Sequence, residues 1–309
     1  MLSVREAQNC VLRSLKNKTM DVEEIPVKEA LGRVAGEELK TPEEVPAFSR
    51  ATMDGFAVRS ADTFGASEEI PALLVLKDEI FMGKKPTMSI GPGEAMAIPT
   101  GGMLPPASDS VSMIEYSEVL GRQLAIYRPV APFENIIQAG EDFKKGDPVV
   151  NAGRVIRPQE VAILAALGFL HIKVYKRPRV CIFSTGDELV SPGETPGPAQ
   201  IRDINGPMLS AQVQKTGGYP RYMGIISDEK EKLKAALLQS LEEADLIIIS
   251  GGSSVGTRDV TVSVIDQLPG EGSLFHGISM RPGKPLIYGM SKGKPIYGLS
   301  GNPVSAMFG

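Results

Sequence analysis

Cysteine and histidine are scarce in this chain of 309 residues, which has only Cys10, Cys181, His171 and His276. There is no C-x-x-C, so neither a disulfide framework nor a His/Cys zinc site fits. Long apolar runs are missing as well. The longest covers residues 161–170, half of what a bilayer crossing needs. The N-terminus lacks a basic-then-apolar signal peptide, and the expectation is a cytoplasmic protein. No Lys/Arg run is interleaved with aromatics and the formal net charge is −4, which argues against a nucleic-acid or membrane partner. The absence of G-x-x-x-x-G-K-[ST] disfavours a P-loop NTPase. A Rossmann dehydrogenase is disfavoured too, because the main glycine loop follows a late strand and lacks the expected acidic residue downstream.

What is present suits globular domains: 42% apolar residues for cores, 23% charged residues for surface, and 33 glycines and 24 prolines for many tight turns. The length predicts two or three domains. Ser3-x-x-Glu6 is a capping-box pattern and predicts a helix carrying Ala7, Val11, Leu12 and Leu15 on one side. A second short helix is expected over 26–31, stopping at Gly32, followed by a proline-marked extended passage over 41–46. Met53-Asp54-Gly55 is either a plain hairpin turn or a sharp turn that holds the Asp54 carboxylate toward a neighbouring domain.

From 56 to about 132 the pattern is short strands and turns, with strands expected over 72–76, 95–98, 110–114 and 123–127. That predicts a β module inserted in a longer domain. Within it, the tight loop 98–102 presents the Thr100 hydroxyl beside free N–H groups. Pro158 suits the first position of a helix running to Gly168. His171 is assigned no chemistry, and 176–178 is a linker.

Beyond Arg179 the chain alternates β and α. Strands are expected over 180–183, 221–226, 246–249, 286–288 and 296–299, with helices over 207–215, 229–244 and 260–268. This is an open, mostly parallel sheet with helices on both faces, whose ligands belong beyond the carboxyl ends of the strands. Three of those ends share a chemistry. One runs into Ser184-Thr185-Gly186-Asp187-Glu188, one into Gly251-Gly252-Ser253-Ser254-Val255-Gly256 with Asp259 behind it, and one into Ser300-Gly301-Asn302-Pro303 with Ser305. Glycine N–H groups at a helix start suit phosphate, and carboxylates beside them imply a bridging divalent cation. Arg281 and Lys284 supply cations to the same or the facing rim. Asp228-x-x-Glu231 reads as a capping box, so Asp228 is assigned to capping.

Seven segments, in this order, resemble the MoeA/gephyrin E-domain family of molybdopterin molybdenumtransferases. They are M-D-G-F-A-V over 53–58, P-T-G over 99–101 with Asp109 after it, A-G-E-D over 139–142, S-T-G-D-E-L over 184–189, G-G-S-S-V-G over 251–256 with Asp259, R-P-G-K-P over 281–285, and G-N-P-V-S-A over 301–306. The resemblance implies a multidomain α/β protein. A linking α+β domain (1–52 plus 140–177) would be split by a β-rich insertion (53–139), ahead of a MogA-like three-layer α/β/α domain with a mostly parallel sheet (178–309). It implies a homodimer with a cleft shared between subunits, and an adenylyltransferase of MogA type as a possible partner. The implied reaction uses Mg²⁺, adenylylated molybdopterin and molybdate, and releases AMP.

Carried over by position, Asp187, Glu188 and Asp259 would serve the metal and the phosphoanhydride. Gly251, Gly252, Ser254 and Gly256 would cradle the pterin phosphate. Arg281, Lys284, Asn302, Pro303 and Ser305 would hold the oxyanion and its surroundings, and Asp54, Thr100 and Asp142 would come from the linking and inserted parts. Ser300 stands where the family often has proline, Gly277 where a lysine is common, and Arg281 where lysine is usual. One cation fewer points to tungstate handling as a variant. The family's β-rich C-terminal domain is expected to follow the last motif and is absent from this sequence. The competing readings are a non-catalytic pterin-binding or scaffold module of gephyrin type, and a nucleotide-cleaving protein of the competence-damage type. The motifs between 53 and 142 argue against the second of these.

Overall fold

The computed structural model describes residues 1–16, 18–251 and 255–308, and side chains everywhere among them except 255–259. The chain divides into two compact units, one made of Met1–Ile25, Gly32–Gly36 and Lys173–Gly309, the other of Pro26–Leu31 and Glu37–Ile172.

The first helix, α1 (Val4–Ser14), starts where the sequence says it should. Ser3 Oγ accepts the Glu6 N–H, and the Glu6 carboxylate accepts the Ser3 N–H at 2.7 Å. Each satisfies a donor that a helix start leaves orphaned. No second helix follows. Residues Val22–Pro26 form a strand and Val27–Glu29 a single 3₁₀ turn, because alternating exposure from Val22 to Ile25 suits a strand and Pro26 donates no helical bond.

The unit built around Glu37–Ile172 contains a six-stranded sheet. Its strands are β1 (Gly55–Val58), β2 (Ala72–Glu79), β3 (Glu94–Ile98), β4 (Ser110–Met113), β5 (Ser117–Leu120) and β6 (Gln123–Ile126). They lie in the order β4-β1-β3-β2-β6-β5, and only the β2–β3 pairing is parallel. Two apolar clusters flank it, one around Ala57, Met96 and Val111, the other around Val58, Leu74 and Leu124. Strands β1 and β5 are the two the sequence reading does not place; all four residues of β1 are buried, so no alternation betrays it. Helix α2 (Pro158–Ala166) opens at Pro158, and Glu160 pairs with Arg157 in its first turn.

In the other unit, a second six-stranded sheet comprises β7 (Arg179–Thr185), β8 (Tyr219–Ile226), β9 (Leu246–Gly251), β10 (Gly272–His276), β11 (Ile287–Ser291) and β12 (Lys294–Leu299). The order is β8-β7-β9-β12-β11-β10. The first four strands run parallel, and β11 and β10 are antiparallel additions. Strand β10 was not anticipated. One face is covered by α4 (Lys230–Glu243) and α5 (Val255–Asp266), whose Leu233, Leu237, Leu241, Val264 and Ile265 pack on Phe183, Ile247 and Ile249. The opposite face meets α1, α3 (Asn205–Lys215) and α6 (Pro303–Phe308), with Ala7, Leu209 and Ala306 clustered about Ile182 and Tyr288. This is the expected three-layer α/β/α arrangement with a mostly parallel sheet.

Candidate functional site

Register puts three of the sequence motifs at one edge. Thr185 at the end of β7 pairs with Gly251 at the end of β9, and Ser250 of β9 pairs with Leu299 at the end of β12. The segments carrying Asp187 and Glu188, Gly251, and Asn302, Pro303 and Ser305 therefore leave neighbouring strands side by side. Strand β11 runs the other way, and Ile287 at its start pairs with Gly298. The preceding Arg281–Lys284 segment consequently reaches the same edge. There Gly251, Thr261, Pro285 and Ser300 line a hole of about 10 Å³, the room of one water. Arg281 and Lys284 are exposed and have no ion-pair partner among the described residues.

The close approach of β7 and β9 dictates glycine at 251. Its φ is +141°, and a Cβ there would overlap the Thr185 carbonyl and hydroxyl oxygens. Gly186, at φ +148°, lets the Glu188 carboxylate fold back, since a Cβ would stand 2.6 Å from Glu188 Oε2. Both are backbone states that side-chain-bearing residues avoid.

Asp228 corrects the sequence reading. The N-cap of α4 is Glu229 and has no side-chain cap bond, so Asp228 caps nothing. It sits in the loop after β8 and is hydrogen-bonded by Thr185, with Asp187 and Glu188 close enough for their charges to act on it. Burial, opposed by the Thr185 bond but reinforced by those two carboxylates, pushes its carboxyl above the usual range. It follows a parallel strand at the same edge, which was the signal available; the D-x-x-E pattern masked it.

The charges of Asp187 and Glu188 act on Asp228, but the three do not close into a metal cage. Among the described residues no three acidic, His or Cys groups converge to coordination distance. Gly252 and Ser254 lie outside the described residues, as does the Asp259 side chain; Gly256 falls in α5. The donor chemistry nevertheless fits a hard cation. These are oxygen ligands of the type Mg²⁺ takes, and a carboxyl held up by burial, with two like charges beside it, is one that a bound cation would relieve.

Asn302 does something the sequence reading did not foresee: its Oδ1 accepts the Ser305 N–H at 3.2 Å, capping α6. In the other unit, Asp54 Oδ1 accepts the Thr100 backbone N–H at 2.7 Å and the Thr100 hydroxyl at 2.8 Å. These two bonds, the backbone one first, hold the Asp54 carboxyl below its usual range. Asp142 is exposed on a separate loop whose backbone bonds Val45 at 3.0 Å.

A mostly parallel sheet covered by helices on both faces, with glycine, carboxylate and cation residues at the carboxyl edge of its parallel strands, defines a three-layer α/β domain of the kind whose ligands sit at that edge. The profile "Probable molybdopterin binding domain" matches residues 181–309, and "MoeA N-terminal region (domain I and II)" matches 2–168. Two crystal structures of MoeA protein from Pyrococcus horikoshii are similar. One is 39% identical with a TM-score of 0.79, covering 97% of this chain and 75% of its own. The other is 33% identical with a TM-score of 0.84, covering 99% and 76%. The molybdopterin molybdenumtransferase of Bacillus subtilis is 34% identical over 94% of this chain and 69% of its own length. The chain belongs to the MoeA family of molybdenum cofactor biosynthesis proteins, and it is an enzyme of the transferase class.

Among the described residues no helix is long and apolar enough to cross a membrane.

Proposed function

We propose that this protein takes adenylylated molybdopterin and molybdate, releases AMP and leaves molybdenum on the pterin dithiolene. One observation carries the reading. Carboxylates, Gly251 and two cations with no ion-pair partner among the described residues lie at one edge because β7, β9 and β12 end in register beside the start of β11. Cleaving the adenylate breaks a phosphorus–oxygen bond between two phosphates. AMP leaves with one phosphate and the pterin keeps the other. The N–H groups about Gly251 and the cations Arg281 and Lys284 would hold the anions as charge shifts between them. Asp187, Glu188, Asp228 and Asp259 would hold Mg²⁺, which when bound supplies positive charge at the phosphoanhydride. Water attacks the phosphoanhydride and supplies the oxygen that completes the cleaved phosphate, and Asp228, at the same edge, would orient it.

The proposal includes the three-part division (linking, inserted and sheet domains) and a homodimer in which Asp54, Thr100 and Asp142 of a second copy complete the cleft. It also includes turnover in the cytoplasm, with substrate received from an adenylyltransferase of MogA type. The test is AMP release from adenylylated molybdopterin with molybdate or tungstate, with and without Mg²⁺. Release that requires Mg²⁺ and falls in Glu188→Ala supports the reading. Tight pterin binding without turnover would instead assign a scaffold role.

A further inference from the structure

Two polar side chains at this edge are nearly sealed from solvent and play no part in the scheme above: Asp203 is 2% exposed and Asn205 7%. Both belong to the lead-in to α3. Asp203 Oδ2 accepts Ser184 Oγ of β7 at 2.8 Å and the Tyr222 hydroxyl of β8 at 2.6 Å. Its Oδ1 accepts the N–H groups of Asn205 at 3.0 Å and Gly206 at 3.3 Å, so the same side chain caps α3. Asn205 Nδ2 then donates to Ser250 Oγ of β9 at 2.8 Å and to the Gly301 carbonyl beyond β12 at 2.9 Å. Two residues on one segment thus touch the ends of β7 and β9, the loop beyond β12 and the middle of β8. They also line, with Gln200, Arg202, Gly301 and Pro303, a cavity of about 470 Å³, within the size range of small-ligand sites.

Stability alone does not explain the amide. Asn205 Oδ1 is buried and has no hydrogen-bond partner among the described residues, a state that costs free energy. The side chain is oriented so that its two donors reach the end of β9 and the loop after β12, at the expense of its acceptor. Tyr222 is drawn into the same network; burial and its bond to Asp203 raise its hydroxyl to about 12.

We propose that Asp203 and Asn205 are positioning residues, a clasp that fixes the ends of β7 and β9 and the loop after β12 relative to one another. The inference rests on the proposed reaction and adds residues that touch no substrate in it. The test compares wild type with Asn205→Ala, Asn205→Asp, Ser250→Ala and the Asn205→Ala/Ser250→Ala double variant. Measured are thermal melting, kcat and KM for AMP release, and amide hydrogen exchange in 184–190 and 299–305.

The clasp predicts folded variants whose kcat falls about ten-fold or more while KM changes less than about three-fold, since small misplacements act on the reacting geometry. Asn205→Asp, lacking the donors, does not rescue, and the double variant is no worse than the poorer single by more than about two-fold. Exchange in both segments rises. Unchanged kcat, or a loss matching only the unfolded fraction with exchange unaltered, overturns it. If Asn205→Ala does not fold, Ser250→Ala alone decides by the same readouts. If wild type releases no AMP, the reaction reading fails and exchange alone judges the clasp.

Discussion

Asp228 shows how a residue's role depends on where its neighbours arrive. The D-x-x-E spacing at 228–231 satisfies a capping pattern, and pattern alone assigns it to α4. Only the fold brings Thr185, Asp187 and Glu188 around it. Its folded pKa lies above the unfolded value, so folding takes up a proton there. The associated stability is present below the unfolded pKa and is lost as pH rises through the folded one. At neutral pH the charged group is therefore a strain on the fold. Asp228→Asn keeps an acceptor for Thr185 and removes the charge. We expect a melting temperature raised by roughly 1–3 °C at pH 7, a gain that shrinks toward pH 4, and AMP release reduced about 100-fold. Parallel melting curves across pH together with initial rates check both halves. The sequence offers Asp187, Glu188 and Thr100 as candidates because polar residues follow apolar runs there, and Asp54 because Asp-Gly marks a sharp turn. The Asp203–Asn205 clasp was not, because its partners Ser184, Ser250 and Gly301 are up to about a hundred positions away in sequence.

At the scale of elements, buried runs such as 246–249 announced the parallel strands, and capping chemistry announced α1 and α2. Failures came where the local signal was ambiguous. Gly55 looked like the far side of a turn yet begins β1, where its missing Cβ leaves room for the Ser112 carbonyl. The strand ends make sharper predictions. Gly251→Ala forces a side chain into a left-handed backbone against Thr185, and we expect a loss of roughly 1–3 kcal/mol or more together with loss of activity, read by denaturant melts and rates. Leu237→Ala, in the fully buried seam between α4 and the sheet, should lose roughly 2–5 kcal/mol. Because it lies away from the strand ends, it should keep kcat per folded molecule. A kcat loss in Leu237→Ala as large as that in Gly251→Ala would deny the edge its special place.

For the whole molecule, the division into two compact units sets the anionic edge in one and the Asp54–Thr100 pair in the other. The proposed reaction needs both sets, supplied by two copies of the chain. Sedimentation should therefore show a dimer, and mixing equal amounts of Asp54→Ala and Glu188→Ala protein under exchange conditions should restore about a quarter of the wild-type rate, because half of the dimers are mixed and each of those regains one intact cleft of two. No restoration by mixing would confine each site to one chain.

The most direct test is AMP release by the intact protein from adenylylated molybdopterin, followed with molybdate while Mg²⁺ is titrated, in wild type and Glu188→Ala. Mg²⁺-dependent release in wild type, reduced at least about 100-fold by the substitution with melting unchanged, is the predicted result. Equal rates in the two proteins, or release indifferent to Mg²⁺, would contradict the assignment of this strand edge.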